Sequence, residues 1–282
     1  MGATDKSQKG EIKVIATARG SIEYGEFGEG SPVLLMHGTP GGSDQGLALA
    51  RILALRGHRV IAPSRPGYLG TKLTVARDPE AQADALADLL DALAIERAAV
   101  IANSAGGAFA VPFALRHRER VSRLILMQSI TARMDISVDD LFHAALLLPR
   151  STAIAPSVVG LALRRFEPSL ITQSIALAWS TLPVAAKRAG TLNDAMQIAR
   201  LPDYPLAQIS TPTLLVHGDA DRNVPFAQSV AAATAIPGAR LLRIPGGNHS
   251  STLFEQRAIA EVREFLRESW VVGRESGSRA VG

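Results

Sequence analysis

The chain has 282 residues, of which 47% are hydrophobic and 20% are charged, and its formal net charge is +4. This length and balance fit one large α/β domain or a core domain with an insertion. No cysteine is present, which excludes disulfides, thiolate metal sites and a cysteine nucleophile.

The composition also speaks against nucleic-acid and membrane partners. The densest basic cluster, residues 116–123, has no recognisable nucleic-acid module beside it, and aromatic residues make up only 5% of the chain. We interpret it as the solvated end of a helix. The N-terminus is polar without a signal-type apolar segment, and no run reaches the roughly 18 apolar residues of a membrane-spanning helix. The sequence therefore predicts a cytoplasmic protein that binds a small molecule.

The first half of the chain alternates strand-like and helix-like runs. The stretch EIKVIATARGSIEYGEFGEG indicates an antiparallel edge hairpin, and PVLLMHG indicates a buried strand. LALARILALRG then predicts a helix that ends at Gly57, and HRVIAPSRPG predicts a strand and a turn. DPEAQADALADLLDALAI, with Pro79 near its start, predicts a helix. AAVIANS and VSRLILMQS predict strands around the helix AGGAFAVPFALRH, in which Pro112 kinks the helix or lies in its early turns.

The last quarter of the chain repeats this alternation. TPTLLVHGDAD and ARLLRIPGGNH predict strands, while PFAQSVAAATAI and STLFEQRAIAEVREFLRESW predict helices. Such an order is typical of a mostly parallel sheet with helices on both faces. The predicted fold class is therefore α/β.

One segment interrupts the alternation after the sixth predicted strand. Residues 131–208 hold short apolar helical runs punctuated by prolines and no strand-like run. We interpret them as an inserted helical cap, so that the core comprises residues 1–130 and 209–282. Because the cap is rich in leucine, alanine, isoleucine and valine and has few charges, it favours a small to medium apolar substrate, although most of these side chains must pack against the core.

A single serine lies among very small residues in the stretch VIANSAGGAFA. Ser104 follows a predicted strand and precedes a predicted helix. It is either a helix N-cap or a nucleophile in a strained turn, with its hydroxyl exposed at the carboxyl edge of the sheet. In the second case Ala102 and Gly106 have to be small, because strand and helix pass close together there.

These residues resemble the nucleophile elbow of the α/β-hydrolase family. The family pattern G-x-S-x-G reads ANSAG here, with Ala102 in place of the first glycine. LLMHGTPGG is similar to the family's oxyanion loop, in which we expect His37 to be structural. The resemblance implies that the backbone N–H groups of Thr39 and Ala105 form the oxyanion hole.

The same resemblance extends to two later loops. HGDADRNVP is similar to the family's acid loop, which implies Asp221 as the triad carboxylate and leaves Asp219 as a turn residue. The other acid position, at the end of the preceding strand, offers Gln128 and no carboxylate. IPGGNHSS is similar to the histidine loop and implies His249 as the base. Ser104, Asp221 and His249 then follow one another in the order expected for this fold.

The resemblance implies a serine hydrolase that forms an acyl-enzyme, and the apolar cap favours a carboxylic ester as substrate. Two alternatives stay open. One is another triad reaction on the same core: amide, peptide, carbamate or carbon–carbon bond hydrolysis, or perhydrolysis. The other is a hydrolase-like ligand receptor. Ser104 excludes an aspartate nucleophile, and because the histidines lack a ligand-spacing pattern, no metal or cofactor is predicted.

The HGTPGG stretch is also similar to proline iminopeptidases. Those enzymes need acidic groups in the cap to hold a free amine. The acidic candidates in the cap of this chain are Asp135, Asp139, Asp140, Glu167, Asp194 and Asp203.

Overall fold

A computed structural model of the protein describes residues 10–134 and 168–268. Its centre is one eight-stranded sheet with the strand order β1-β2-β4-β3-β5-β6-β7-β8. The strands are β1 Glu11–Thr17, β2 Gly20–Phe27, β3 Ser31–Met36, β4 His58–Pro63, β5 Ala98–Asn103, β6 Val121–Met127, β7 Thr213–Gly218 and β8 Arg240–Ile244.

The direction of the strands divides the sheet into two parts. Strand β2 pairs antiparallel with both β1 and β4, whereas every pair from β4 to β8 is parallel. This confirms the predicted α/β class. The predicted hairpin is also present, but only β1 lies at the edge, since β2 is covered by β4 on its other side.

Seven α-helices connect or follow these strands in the described residues. They are α1 Ser43–Ile52, α2 Pro79–Ala92, α3 Gly107–Arg116, α4 Pro168–Trp179, α5 Val184–Ile198, α6 Phe226–Ala235 and α7 Gln256–Arg267. The start of α2 was predictable, because Pro79 is its first residue and Asp78 accepts a hydrogen bond from the N–H of Ala81.

The predicted end of the first helix was wrong. Helix α1 ends at Ile52, five residues before Gly57. The chain leaves the helix through Ala54 in the left-handed region, with φ at 48°, and the N–H of Leu55 reaches back to the carbonyl of Ala50. Ala54 therefore makes the turn at the end of the helix, whereas the prediction had placed that end at Gly57.

Alternate side chains of the strands enter two separate cores. On β3, Leu34 and Met36 join the core beneath α2, α3 and α6, while Val33 and Leu35 join the core beneath α1 and α7. The helices thus cover both faces of the sheet. Groups that contact a ligand must therefore lie in the loops at the ends of the strands.

Helices α4 and α5 lie between β6 and β7, where the sequence predicts the cap. The cap runs DDLFHAALLLP and APSVVGLALRRF lie outside the described residues. Within the described residues, no helix combines the length and the apolar character that crossing a membrane requires.

Helix α5 is held on the core by backbone contacts as well as side chains. The N–H of Gly190 donates to the carbonyl of Gly67 over 2.9 Å, and the N–H of Leu69 donates to the carbonyl of Ala186 over the same distance. Gly190 lies directly against the ring of Tyr68, which a side chain at this position would overlap. The helix and the loop after β4 therefore form one packed unit.

Candidate active site

Four loops that carry the predicted site residues follow strands β3, β5, β7 and β8. These strands are parallel, so their carboxyl ends share one edge of the sheet. Ligand sites of open α/β sheets lie at this edge. The topology thereby gathers Thr39, Ser104, Asp221 and His249, which are far apart in the sequence.

The turn after β5 is strained and tightly packed. Ser104 has φ at 53°, a value that a residue with a side chain rarely adopts, and it opens a 3₁₀ turn, Ser104–Gly106. A Cβ atom on Gly106 would lie only 2.8 Å from the carbonyl oxygen of Met36 and 2.9 Å from that of His37. Glycine is required here because the strand β3 backbone passes at contact distance.

Ser104, His249 and Asp221 form a continuous hydrogen-bonded chain. The Oγ of Ser104 lies 3.1 Å from Nε2 of His249, and Nδ1 of His249 lies 2.6 Å from Oδ2 of Asp221. Nδ1 donates to the carboxylate, so Nε2 accepts the serine hydrogen. Among the described residues, no side-chain cap bond is found at the start of the 3₁₀ turn or of α3, so the helix-cap interpretation of Ser104 has no support.

The carboxylate of Asp221 is fully buried and fully engaged. Oδ1 accepts the N–H groups of Asn223 and Val224 at 2.8 and 3.0 Å, while Oδ2 accepts from His249 and from Nε2 of His217 at 3.2 Å. Burial by itself raises the pKa of Asp221, but the bonds from both imidazoles and from Val224 outweigh it and hold the pKa well below its usual range. The carboxylate is therefore ionised at neutral pH.

Asp219 occupies a different environment, as the sequence predicted for a turn residue. Its oxygens accept from the guanidinium of Arg243 at 2.7 Å and from the N–H of Gly246 at 2.7 Å. These bonds lower the pKa of Asp219, but they hold the turn at the surface and do not reach His249.

Sequence reasoning missed the part played by His217. This buried side chain places Nε2 between the Asp221 carboxylate and the carbonyl of Val224, so Nε2 must carry a proton. Its Nδ1 lies 2.6 Å from the hydroxyl of Ser229. A second imidazole therefore braces the carboxylate in addition to His249. The spacing of four residues between His217 and Asp221 was the available signal.

Gln128 was noted in the sequence only because it is not a carboxylate. The structure gives it a contact in the same site, since its side-chain amide donates to the backbone carbonyl of His249. The residue is fully buried and has φ at 44°. It links the end of β6 to the loop that carries the histidine.

The loop after β3 is fixed by hydrogen bonds on both sides of Gly38. Nδ1 of His37 donates to the carbonyl of Gly38 at 2.7 Å, and Nε2 of His37 accepts the N–H of Arg65 at 3.0 Å. Burial, and then the neighbouring Arg65 charge, hold the pKa of His37 well below its usual range, which agrees with the structural role predicted for it.

The backbone N–H groups of Gly38 and Thr39 differ in whether they have a hydrogen-bond acceptor. That of Gly38 donates to Oε1 of Gln45 at 2.7 Å, whereas that of Thr39 finds no acceptor within residues 10–134 and 168–268. A Cβ atom on Gly38 would lie 3.0 Å from that of Ser104, so this loop runs directly beside the serine.

The side chain of Thr39 enters a buried ionic cluster. Its hydroxyl bonds to Oδ2 of Asp194, lies 3.1 Å from the hydroxyl of Tyr68, and accepts from Arg65 at 3.3 Å. Asp194 is one of the six acidic residues of the predicted cap, but its carboxylate is bonded by Arg65, Tyr68 and Thr39. Asp203 is exposed, and the other four acidic candidates lie outside the described residues.

Among the residues that the structure describes, no three histidine, aspartate or glutamate side chains come together as a metal site. The candidate site consists of Ser104, His249, His217 and Asp221, and it lies beside the loop that follows β3.

The chain belongs to the alpha/beta hydrolase family, whose sequence model matches residues 33–265. It is similar to the structure of an alpha/beta hydrolase fold protein from Nakamurella multipartita, with 30% identity, a TM-score of 0.79, and coverage of 91% of this chain and 99% of that one. A thermophilic esterase from Thermogutta terrifontis has 26% identity and a TM-score of 0.66, over 91% and 98% of the two chains.

Two curated relatives add to this. A 2-hydroxymuconate semialdehyde hydrolase of Pseudomonas putida is 28% identical over 259 residues, which are 86% of this chain and 89% of that protein. An uncharacterized hydrolase of Bacillus subtilis is 34% identical over 123 residues, so the chain spans only 43% of that protein's length in the match. The family and the hydrolase class rest on these similarities.

Proposed function

We propose that the protein is a serine hydrolase that acts on a small to medium, apolar carboxylic ester through an acyl-enzyme. The observation that carries the proposal is the hydrogen-bonded chain from Ser104 through His249 to the buried Asp221 carboxylate. A serine hydroxyl is activated by this geometry, in which a base accepts its proton and a third group orients the base.

In the proposed reaction, Oγ of Ser104 attacks the ester carbonyl while Nε2 of His249 takes the hydroxyl proton. The oxyanion that forms is received by the N–H groups of Thr39 and Ala105. His249 then returns the proton to the leaving alcohol, which leaves an acyl-serine. Water, deprotonated by His249, attacks the acyl carbon, and the acid leaves as the serine recovers its proton. Asp221 stays ionised throughout and holds the imidazole tautomer.

The preference for an ester rests on the apolar composition of residues 131–208, which we propose as the cap over the site, and on the similarity to the Thermogutta esterase. A second candidate is hydrolysis of a carbon–carbon bond beside a ketone. The similarity to the semialdehyde hydrolase, over 86% of this chain, favours it. Both reactions can use the same Ser104, His249 and oxyanion groups.

Purified protein incubated separately with aryl esters of short and long acyl chains, the matching anilides, and a vinylogous diketone would separate these candidates. We expect the esters to be cleaved fastest and Ser104→Ala to lose that activity. Faster cleavage of the diketone would replace the ester assignment by the second candidate. A single slow turnover with retained product would favour a ligand receptor instead.

A further inference from the structure

One carboxylate from the segment between β6 and β7 reaches the loop beside the nucleophile. Asp194 lies on α5, yet its Oδ2 is bonded by the hydroxyl of Thr39, the residue whose N–H we assign to the oxyanion hole. We propose that Asp194 is a positioning residue for the oxyanion hole and acts through the Thr39 side chain. This inference rests on the proposed function.

The cluster around Asp194 is built to be rigid. Arg65 binds the carboxylate with both terminal nitrogens, at 2.8 Å to Oδ1 and 2.6 Å to Oδ2, and the hydroxyl of Tyr68 donates to Oδ2 at 2.6 Å. The side chains of Arg65 and Asp194 are 1% and 0% exposed. A planar two-point ion pair without access to water fixes the carboxylate in direction as well as in position.

This rigidity matters because the cluster holds Thr39 through its side chain. The preceding residue, Gly38, is held through its N–H by Gln45 and through its carbonyl by His37. The backbone N–H of Thr39 has to stay unbonded to receive an oxyanion, so its direction depends on the Gly38 peptide on one side and on its own side chain on the other. Asp194 supplies the second anchor. Oxyanion donors are effective only when they are fixed before the reaction.

Helix α5 has anchors on the core other than Asp194. Besides the backbone bonds to Gly67 and Leu69, the helix is held by Lys187, whose buried ammonium bonds both oxygens of Asp44 at 2.7 and 2.8 Å. Lys187 lies seven residues before Asp194, about two turns along the same helix face. One ion pair of the helix thus ends at Asp44 in α1. The other ends at Arg65 in the loop after β4, and the carboxylate of that second pair also bonds the Thr39 hydroxyl.

The test compares Asp194→Asn with the matched control Asp44→Asn. Each replaces one carboxylate of an α5 ion pair by its amide isostere, but only the first contacts Thr39. The readouts are the rate constant for labelling of Ser104 by an aryl fluorophosphonate, located by peptide mass spectrometry, and kcat and KM for an aryl ester. The phosphonyl oxygen uses the same N–H donors as the oxyanion, so the labelling rate reports the hole directly.

We expect Asp194→Asn to lower the labelling rate and kcat by about 10- to 100-fold, with KM little changed, since a misplacement near 1 Å can cost about 100-fold. Asp44→Asn should stay within about threefold of the wild type. Thr39→Val should be slowed to the same extent as Asp194→Asn. The double variant Thr39→Val with Asp194→Asn should be no slower than the slower of the two single variants. Thr39→Ser keeps the hydroxyl and should regain most of the rate that Thr39→Val loses.

Equal effects of Asp194→Asn and Asp44→Asn would overturn the inference, because docking of the helix alone would then explain them. Unchanged labelling in a folded Asp194→Asn protein would overturn it as well. If Asp194→Asn does not fold, Thr39→Val takes its place, and labelling of that variant at the wild-type rate would equally overturn the inference. A wild-type protein that labels at a residue other than Ser104 would instead overturn the proposed function.

Discussion

Asp221 and Asp194 are two fully buried carboxylates near the same strand ends, and they are bonded by different kinds of partner. Asp221 is held by backbone N–H groups and by two imidazoles, one of which, His249, is 20% exposed and contacts the serine. Asp194 is held by a buried guanidinium and two hydroxyls. The first environment keeps a charge beside an imidazole that can exchange protons. The second pairs the charge with Arg65 and, in our proposal, fixes the backbone of Thr39.

Burial and ionisation therefore do not by themselves identify a catalytic carboxylate. Arg65 remains charged because, although burial lowers its pKa, the Asp194 carboxylate raises it by more. None of the described partners of Asp194 can take a proton from a nucleophile, whereas His249 can. The identity of the partner decides the role.

The strongest effect should separate Asp221 from its neighbour in the same loop. Asp221→Asn should lower turnover of an ester by about four orders of magnitude, because an amide cannot hold the required imidazole tautomer. Asp219→Asn is the matched control and should keep most activity, since Asp219 bonds only Arg243 and Gly246 among the described residues. Steady-state kinetics of both variants decide this, and the reverse ranking would show that Asp219 is the triad acid.

The next effect concerns stability and should belong to Asp194. Asp194→Leu leaves the Arg65 guanidinium buried without a counter-ion, which should lower the free energy of unfolding by about 3–5 kcal/mol. The double change Arg65→Met with Asp194→Leu should recover much of this, because the uncompensated charge is gone. Urea unfolding of the single and double variants measures it. Equal stability of the two would mean that the ion pair is not the source of the cost.

The turn that carries Ser104 is constrained by space rather than by charge. Gly106→Val places side-chain atoms against the carbonyls of Met36 and His37, and Ala102→Val overfills a fully buried site on β5. Each should lower the unfolding free energy by about 1–3 kcal/mol and reduce turnover further by moving Ser104. Ala102→Gly should keep most activity at a cost near 0.5–1 kcal/mol.

Turnover measured beside the thermal midpoint of these three variants tests the elbow. Folded valine variants with near-normal turnover would show that the small residues serve packing alone.

The weakest effect is a dependence of stability on acid. The folded-state pKa of Asp221 lies below its unfolded value of about 3.9, so the unfolded chain binds more protons and stability falls with falling pH. The contribution, about 2 kcal/mol or less, should be complete above about pH 5 and lost progressively below about pH 4. The stability difference between wild type and Asp221→Asn, followed from pH 7 to 3, should shrink in that window; a constant difference would contradict the shift.

The sequence predicted the surroundings of Asp221 better than those of Asp194. Strand ends are local signals, so the sequence placed the stretches after VIANS, TLLVHG and LLRIP at strand ends, as the structure does. The parallel topology then brings Ser104, Asp221 and His249 together. The pair of Arg65 with Asp194 joins residues 129 positions apart on elements whose crossing no local pattern specifies. For the same reason the contact between Gln128 and the His249 carbonyl was not foreseen.

The proposed function depends above all on Ser104 being the nucleophile activated through His249 and Asp221. The decisive experiment treats wild type, Ser104→Ala and Asp221→Asn with an aryl fluorophosphonate and maps the adduct by peptide mass spectrometry. We predict one adduct on Ser104 in the wild type, none in Ser104→Ala, and strongly slowed labelling in Asp221→Asn. An adduct on another residue, or undiminished ester hydrolysis by Ser104→Ala, would contradict it.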